Sequence, residues 1–437
     1  MRIETIRTEG LGDSTHILIH DGVAAVVDPQ RDIDRFEVIL DEAGADARLV
    51  LETHVHNDYV SGGLDLSRHT GAELVMPAGA APVFRHRPAF HGEEINLGSM
   101  WVRPMHTPGH TPEHMSYVFV IDGRDVAVFS GGSLLVGSAG RSDLLGEERA
   151  ESLARLQYGS VNRLASLSDE VGLYPTHGAG SFCTTTGAGD LTSTIGHEKK
   201  TNSVLAYEDV DAFVKGQLAN LVPYPSYYRH MAPINLRGLG EPDLSVPLLE
   251  SIPDGVTVID ARRRHRFAAG HVPGALGIEL RNSFGTWVGW LTEHNSPLVL
   301  VLDEDQDGDE AVRQLIRIGF DDIVGIVRNP GADLIRFRTV DRVEFAEAAR
   351  SDAQLLDVRA PNEWENGTVE GSVLSYLPDL AERTPAGLSA SRPVWIACGS
   401  GYRAVTAAGL LQDRGFETVV LIDDGASDVL HEFSVTV

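Results

Sequence analysis

The chain has 437 residues, enough for about three domains, and its 63 acidic against 36 basic side chains give a net charge of −27. That charge excludes a nucleic-acid backbone as partner, because phosphates would be repelled. Two cysteines cannot build a disulfide framework, no apolar run reaches a membrane span, and the opening MRIETIRTEG lacks the apolar stretch of a secretory signal, so a cytoplasmic protein is expected.

In chain order, the apolar residues 49–51 read as a buried strand running into THVHNDY at 53–59. Alternate positions at a strand end converge His54, His56 and Asp58, and imidazoles with a carboxylate are what Zn²⁺ or Fe²⁺ prefer. TPGH at 107–110 brings His110 out of a Pro-Gly turn, and PTHG at 175–178 brings His177 out of another apolar run. Each histidine thus sits where a strand meets a glycine turn, a rigid place for a ligand. Residues 147–165 read as a helix, and 196–245 as the last helices of a first domain followed by a linker with the segment YPSYY.

The second half repeats itself. PLVLVLD at 297–303 aligns with PVWIACG at 393–399, an offset of 96, and Gly319-Phe320 aligns with Gly415-Phe416. VIDAR at 258–262 and LLDVR at 355–359 are the matching opening strands. In the later copy an apolar strand delivers Cys398 into a turn of Gly399, Ser400 and Gly401, followed by Tyr402, Arg403 and a helix from about residue 404. Backbone N–H groups and a helix N-terminus around a thiol favour its anion and its persulfide, which marks Cys398 as reactive. In the earlier copy Leu302 replaces the cysteine and Asp307 the arginine, within the acidic run DEDQDGDE at 303–310 that would repel a thiolate. That copy has no nucleophile, so a structural role as spacer or docking surface is expected of it.

THVHNDY, TPGHT, FSGGSLL at 129–135, GRSDL at 140–144 and HGAGSFC at 177–183 together resemble the persulfide dioxygenase branch of the metallo-β-lactamase superfamily. The resemblance implies an α/β fold, an αββα sandwich with the metal at one edge, and a single Fe²⁺ held by His54, His110 and the aspartate of an FTGD motif. Here that motif reads FSGG, so Gly132 stands where the family has its carboxylate. Two readings stay open: His56 joins His54 and His110 in a three-histidine site for Fe²⁺ or Zn²⁺, or the metal is lost. Asp58 and His177 are then further candidate ligands or supports, and Tyr59, Arg141 and Cys183 the expected substrate-side residues. A dinuclear thioester hydrolase of the glyoxalase II kind would need a bridging carboxylate at 132.

The Cys398 loop resembles the CxxxxR loop of rhodanese, with LLDVR, Gly367 and Gly371 in support. The resemblance implies rhodanese-like α/β domains with central parallel sheets, and a cysteine that accepts a sulfane sulfur and passes it on by thiol exchange. The order over the whole chain is similar to bacterial fusions of persulfide dioxygenase with rhodanese: residues 1–240 dioxygenase-like, 241–337 a silent rhodanese-like domain, 338–437 an active one. The expected partners are a low-molecular-weight thiol persulfide and sulfite, with thiosulfate as product, and the family implies a homo-oligomer. No loop identifies the thiol carrier.

Overall fold

The computed structural model describes residues 1–184, 190–219 and 221–434. Its contacts divide the chain into two compact units, Met1–Pro242 with Ile316–Gly319, and Asp243–Leu315 with Phe320–Val437.

In the first unit β1 (Arg2–Thr8), β2 (Asp13–His20), β3 (Val23–Val27), β4 (Asp46–Leu51), β5 (Glu73–Pro77) and β6 (Arg87–Ala89) form one mixed sheet in that order. A second sheet takes β7 (Ile95–Leu97), β8 (Met100–His106), β9 (Met115–Ile121) and β10 (Arg124–Gly131). β11 (Leu134–Leu135) and β12 (Ser138–Ala139) make a small ribbon, and β13 (Gly172–Pro175) with β14 (Ser193–Thr194) complete the second sheet in the order 14-13-10-9-8-7. Side-chain alternation sorts residues between layers. Along β4, Leu49 and Leu51 point into the core between the sheets with Val75, Tyr117 and Phe129, while Ala47 and Val50 face the outer helices through Phe36 and Leu66. On the far side, Val118 and Val128 pack under Ala154, Val161 and Leu164 of the helix Glu147–Ala165. The result is the expected αββα sandwich, and each fully buried apolar side chain contributes about 1.5–3 kcal/mol.

In the second unit β15 (Leu248–Leu249), β16 (Thr257–Asp260), β17 (Leu276–Gly277), β18 (Leu298–Val301) and β19 (Ile323–Val327) form a parallel sheet of order 15-19-18-16-17. β20 (Arg338–Val340), β21 (Gln354–Asp357), β22 (Val373–Leu374), β23 (Val394–Ala397) and β24 (Thr418–Leu421) repeat the same order as 20-24-23-21-22. The central strands LVLV and TVVL are buried at every position, on both faces, as strands of parallel sheets are. Both copies also repeat one buried ion pair: Arg262 holds Asp260 and reaches the Gly270 carbonyl at 2.8 Å, while Arg359 holds Asp357 and reaches the Gly367 carbonyl at 2.7 Å. Phe267, Ala268, Ala275 and Phe337 share one core with Leu356, Ile396, Ala404 and Leu411, so the two repeats are packed as one body.

Candidate metal centre and sulfur-transfer loop

The first unit gathers its histidines where β4, β8 and β13 end, at one edge of the sandwich. Thr53, just past β4, is pinned by Asp28: its N–H and its hydroxyl donate to the two carboxylate oxygens at 2.7 Å each. Its hydroxyl oxygen therefore accepts from His54 Nδ1 at 2.8 Å, which leaves Nε2 of His54 as the lone pair. His110 Nδ1 donates to the Arg141 carbonyl at 2.8 Å, and its Nε2 is buried without a partner. His177 Nδ1 donates to Asp13 at 2.8 Å, and its Nε2 lies 3.4 Å from His54 Nε2. Burial and the neighbouring imidazoles hold His54 and His110 well below the ordinary histidine range, and burial also lowers His177, so all three are neutral. Three lone pairs turned toward one point repel each other unless a cation sits among them, and each outer nitrogen is already oriented by a hydroxyl, a carbonyl or a carboxylate. These residues fit a metal ion.

Among the described residues, donors within 4.8 Å of one another occur in His54 with His110 and His177, in Asp28 with His54 and His56, and in His56 with Asp58 and His177. The trio His54, His56 and His110 is not one of them. His56 Nε2 faces Glu52 at 3.1 Å, Asp28 at 3.2 Å and the Tyr59 hydroxyl at 3.1 Å, and although burial pushes its basicity down, the two carboxylates hold it well above the ordinary range. His177 rather than His56 therefore joins His54 and His110 in one converging trio, while His56, whose buried Nδ1 has no partner, groups with Asp28 and His54 and with Asp58 and His177. Gly132 shows why the carboxylate is absent. A Cβ there would lie 2.3 Å from His110 Cδ2 and 2.7 Å from its Nε2, so the His110 ring fills the space an aspartate would need. The Gly132 N–H donates to His114 Nε2 at 3.0 Å, and His114 Nδ1 meets Thr107 at 2.9 Å, which occupies that histidine fully.

The expected substrate-side residues are built into the walls. Tyr59 is fully buried, its ring stacked on His56 with centroids 4.3 Å apart and its hydroxyl 3.1 Å from His56 Nε2. The Arg141 guanidinium is buried and held by Asp143 through two bonds of 2.7 Å, so its charge is already matched; its backbone carbonyl does the positioning of His110. Cys183 is buried, its thiol donates to Asp58 at 3.4 Å, and burial together with Asp58 and Asp13 pushes that thiol well up, keeping it protonated. Burial pushes Asp13 and Asp58 up to about 7. Sequence reasoning missed the parts played by Asp13, Asp28, Glu52 and Thr53; Thr53 opens the motif and Glu52 directly precedes it, while Asp13 and Asp28 come from strand ends distant in sequence.

In the second unit β23 delivers Cys398 into the loop ahead of the helix Tyr402–Asp413. Gly401 has φ +84°, and a Cβ on it would lie 3.0 Å from Ile422 Cα, so only glycine turns the chain here. Arg403 is clamped by Glu363 through bonds of 2.5 and 2.8 Å, from the short helix Pro361–Trp364. In the silent repeat Leu302 is buried at the cysteine's place. Gln306 fills that loop, accepting from Asp303 N–H at 2.8 Å and donating to the Ala261 carbonyl at 2.9 Å, while Asp307 caps the next helix through the N–H of Asp309 at 3.0 Å. This loop thus carries neither a cysteine nor an arginine at the positions of Cys398 and Arg403.

Fold and sites together define a metal-binding αββα sandwich followed by a tandem of parallel-sheet domains, one with a cysteine loop. Residues 8–177 match the metallo-β-lactamase superfamily, and residues 247–329 and 342–432 each match the rhodanese-like domain. The chain is a fusion of a metallo-β-lactamase-superfamily domain with two rhodanese-like domains. It is 34% identical over 160 residues to a probable metallo-hydrolase of Burkholderia pseudomallei, matching 31% of this chain and 53% of that one. It is 35% identical over 184 residues to the hydroxyacylglutathione hydrolase of Methylococcus capsulatus, matching 40% of this chain and 66% of that one. The chain thus spans about half to two thirds of the length of these curated relatives. The crystal structure of a metallo-β-lactamase from Staphylococcus aureus matches with a TM-score of 0.70 at 25% identity, covering 75% of this chain and 99% of its own. No helix among the described residues is long and apolar enough to cross a membrane.

Proposed function

We propose that the chain handles sulfane sulfur in two linked reactions: oxidation of a low-molecular-weight thiol persulfide in the first domain and sulfur transfer through Cys398 in the last. The observation that carries this reading is the pairing, in one chain, of three converging imidazole lone pairs with a cysteine on a rhodanese-like loop. In the first reaction RSSH, O₂ and H₂O give RSH, SO₃²⁻ and two protons. A bound metal ion, iron in this reading, would supply the redox chemistry. The chain's own residues hold that ion through His54, His110 and His177 and orient those rings through Thr53, the Arg141 carbonyl and Asp13. In the second reaction the Cys398 thiolate attacks the outer sulfur of RSSH, the S–S bond breaks, and the electron pair and proton leave as RSH. The resulting Cys398–S–S⁻ gives its outer sulfur to SO₃²⁻, which becomes S₂O₃²⁻ as the thiolate returns. A cytoplasmic place and a homo-oligomeric state belong to the same reading.

The names of the hydroxyacylglutathione hydrolase relatives favour a second reading, a dinuclear metal hydrolase of thioesters. It requires a bridging carboxylate at 132, where the His110 ring leaves no room. Elemental analysis of protein purified without air or chelator, with oxygen uptake on adding glutathione or coenzyme A persulfide, separates the readings. About one iron per chain with oxygen consumed supports oxidation; two zinc ions support hydrolysis; no metal and no uptake leave a sulfurtransferase alone.

A further inference from the structure

The floor of the Cys398 loop is residues 422–426. The Cys398 carbonyl accepts from Ala426 N–H at 2.8 Å, a Cβ on Gly425 would lie 2.3 Å from the Gly399 oxygen, and a Cβ on Gly401 would lie 3.0 Å from Ile422 Cα and 3.3 Å from Asp423 N. Asp423 stands in that floor at φ +65°, a left-handed conformation that is unfavourable for a residue with a side chain. What holds it comes from the silent repeat. Arg264 donates to Asp423 Oδ1 at 2.7 and 3.1 Å, and His265 meets Oδ2 at 2.8 Å. Arg264 also bonds Glu279 at 2.8 Å, and the carbonyl of Glu279 accepts from the hydroxyl of Tyr402, the loop's own residue, at 3.2 Å. One turn further, Thr406 donates to the Gly277 carbonyl at 2.5 Å.

The duplication gives these contacts a second meaning. Glu363, which clamps Arg403, lies on the helix Pro361–Trp364, and the equivalent helix of the silent repeat is Arg264–Ala269. In the active copy that helix steadies its own loop; in the silent copy Arg263 and Arg266 still face their own loop at Asp303 and Asp305, but Arg264 and His265 reach the other copy's loop. We propose that the silent repeat is a positioning element of the Cys398 site, acting through Arg264 and His265 on Asp423. This rests on the reading of Cys398 as sulfur acceptor. Released from the clasp, Asp423 relaxes out of its left-handed conformation, residues 422–426 shift, and the loop that carries Cys398 shifts with the floor it is bonded to through Ala426.

The test is steady-state sulfur transfer from thiosulfate to cyanide by the full chain. Asp423→Gly keeps the backbone conformation accessible and removes only the carboxylate; kcat should fall about 10- to 100-fold, the cost of misplacing a reacting group. KM for thiosulfate should change by less than about twofold, because the effect falls on the reacting loop rather than on uniform binding. Arg264→Lys, which keeps a cation on Asp423, should retain most of the rate, and Asp423→Gly with Arg264→Ala should be no slower than either alone. Arg342→Ala removes the guanidinium that pairs with Asp424 on the same floor and with Glu432, without touching the silent repeat, and should leave kcat unchanged. An unchanged kcat in Asp423→Gly, even with a lowered Tm, overturns the proposal, as does equal slowing by Arg342→Ala. Transfer that survives Cys398→Ser overturns the underlying reading of Cys398 itself, a different result from a failed clasp.

Discussion

Nε2 of His177 lies 3.4 Å from Nε2 of His54, and both rings have committed their other nitrogen to a partner, Asp13 and Thr53. Two lone pairs at that distance call for a positive charge between them. Replacing His177 with glutamine should therefore cost metal affinity about 100-fold, and Asp13→Asn about 10-fold, through loss of the orienting carboxylate. His56→Gln should leave the three converging donors in place. Metal retained against graded chelator checks all three; metal held by His177→Gln as well as by the unaltered chain would return His56 to the ligand set.

Restoring the family's carboxylate with Gly132→Asp should not restore the family's site. The new Cβ would meet the His110 ring at 2.3 Å, so the ring must move and take its Nε2 with it. Overpacking of this kind costs about 1–3 kcal/mol, and metal content should fall with stability. Thermal unfolding and metal content measured on the same preparation decide the matter, and a rise in bound iron would show that His110 can turn aside.

Converting the silent loop should not wake it. In a Cys398→Ser background, Leu302→Cys with Asp307→Arg should give no transfer to cyanide, because Gln306 occupies the loop and Asp303 and Asp305 stay beside it, paired with Arg263. Adding Gln306→Gly is the variant in which a first trace of activity should appear.

Acid should loosen the active loop in a defined direction. Burial pushes the Glu363 carboxyl up, but bonds to Arg403 and its charge outweigh burial and hold it below the ordinary range. A carboxyl lowered in the folded state stabilises above its unfolded value, near 4.5, and that contribution is lost as pH falls through the lowered folded value. The stability difference between the native chain and Glu363→Gln should be constant above about pH 5.5 and vanish at the acid end, measured by urea unfolding across pH. A difference that instead grew as pH fell would contradict the pair's role. Glu363 is about a third exposed, so solvent screening keeps the effect small.

The sequence by itself determined the α/β class and the places where chemistry gathers, and the resemblance it carries implied the layered architecture. Strand alternation, strand-to-glycine junctions and a 96-residue offset are local signals, and they located His54, His110, His177, Cys398, Arg403 and the silent Leu302. Which histidine completes the trio was a tertiary decision. His56 is two residues from His54, yet its Nε2 faces Asp28 and Glu52, while His177, just past β13 and 123 residues from His54, brings its Nε2 to the trio. Tyr59, Arg141 and Cys183 likewise looked available in sequence, and packing turned each toward a partner. The role of the silent repeat was equally hidden, since an Arg264 to Asp423 bond leaves no trace in either segment. Local patterns fix what a residue can do; burial and the partners folding brings beside it fix its protonation and its free lone pairs, and these decide what it does.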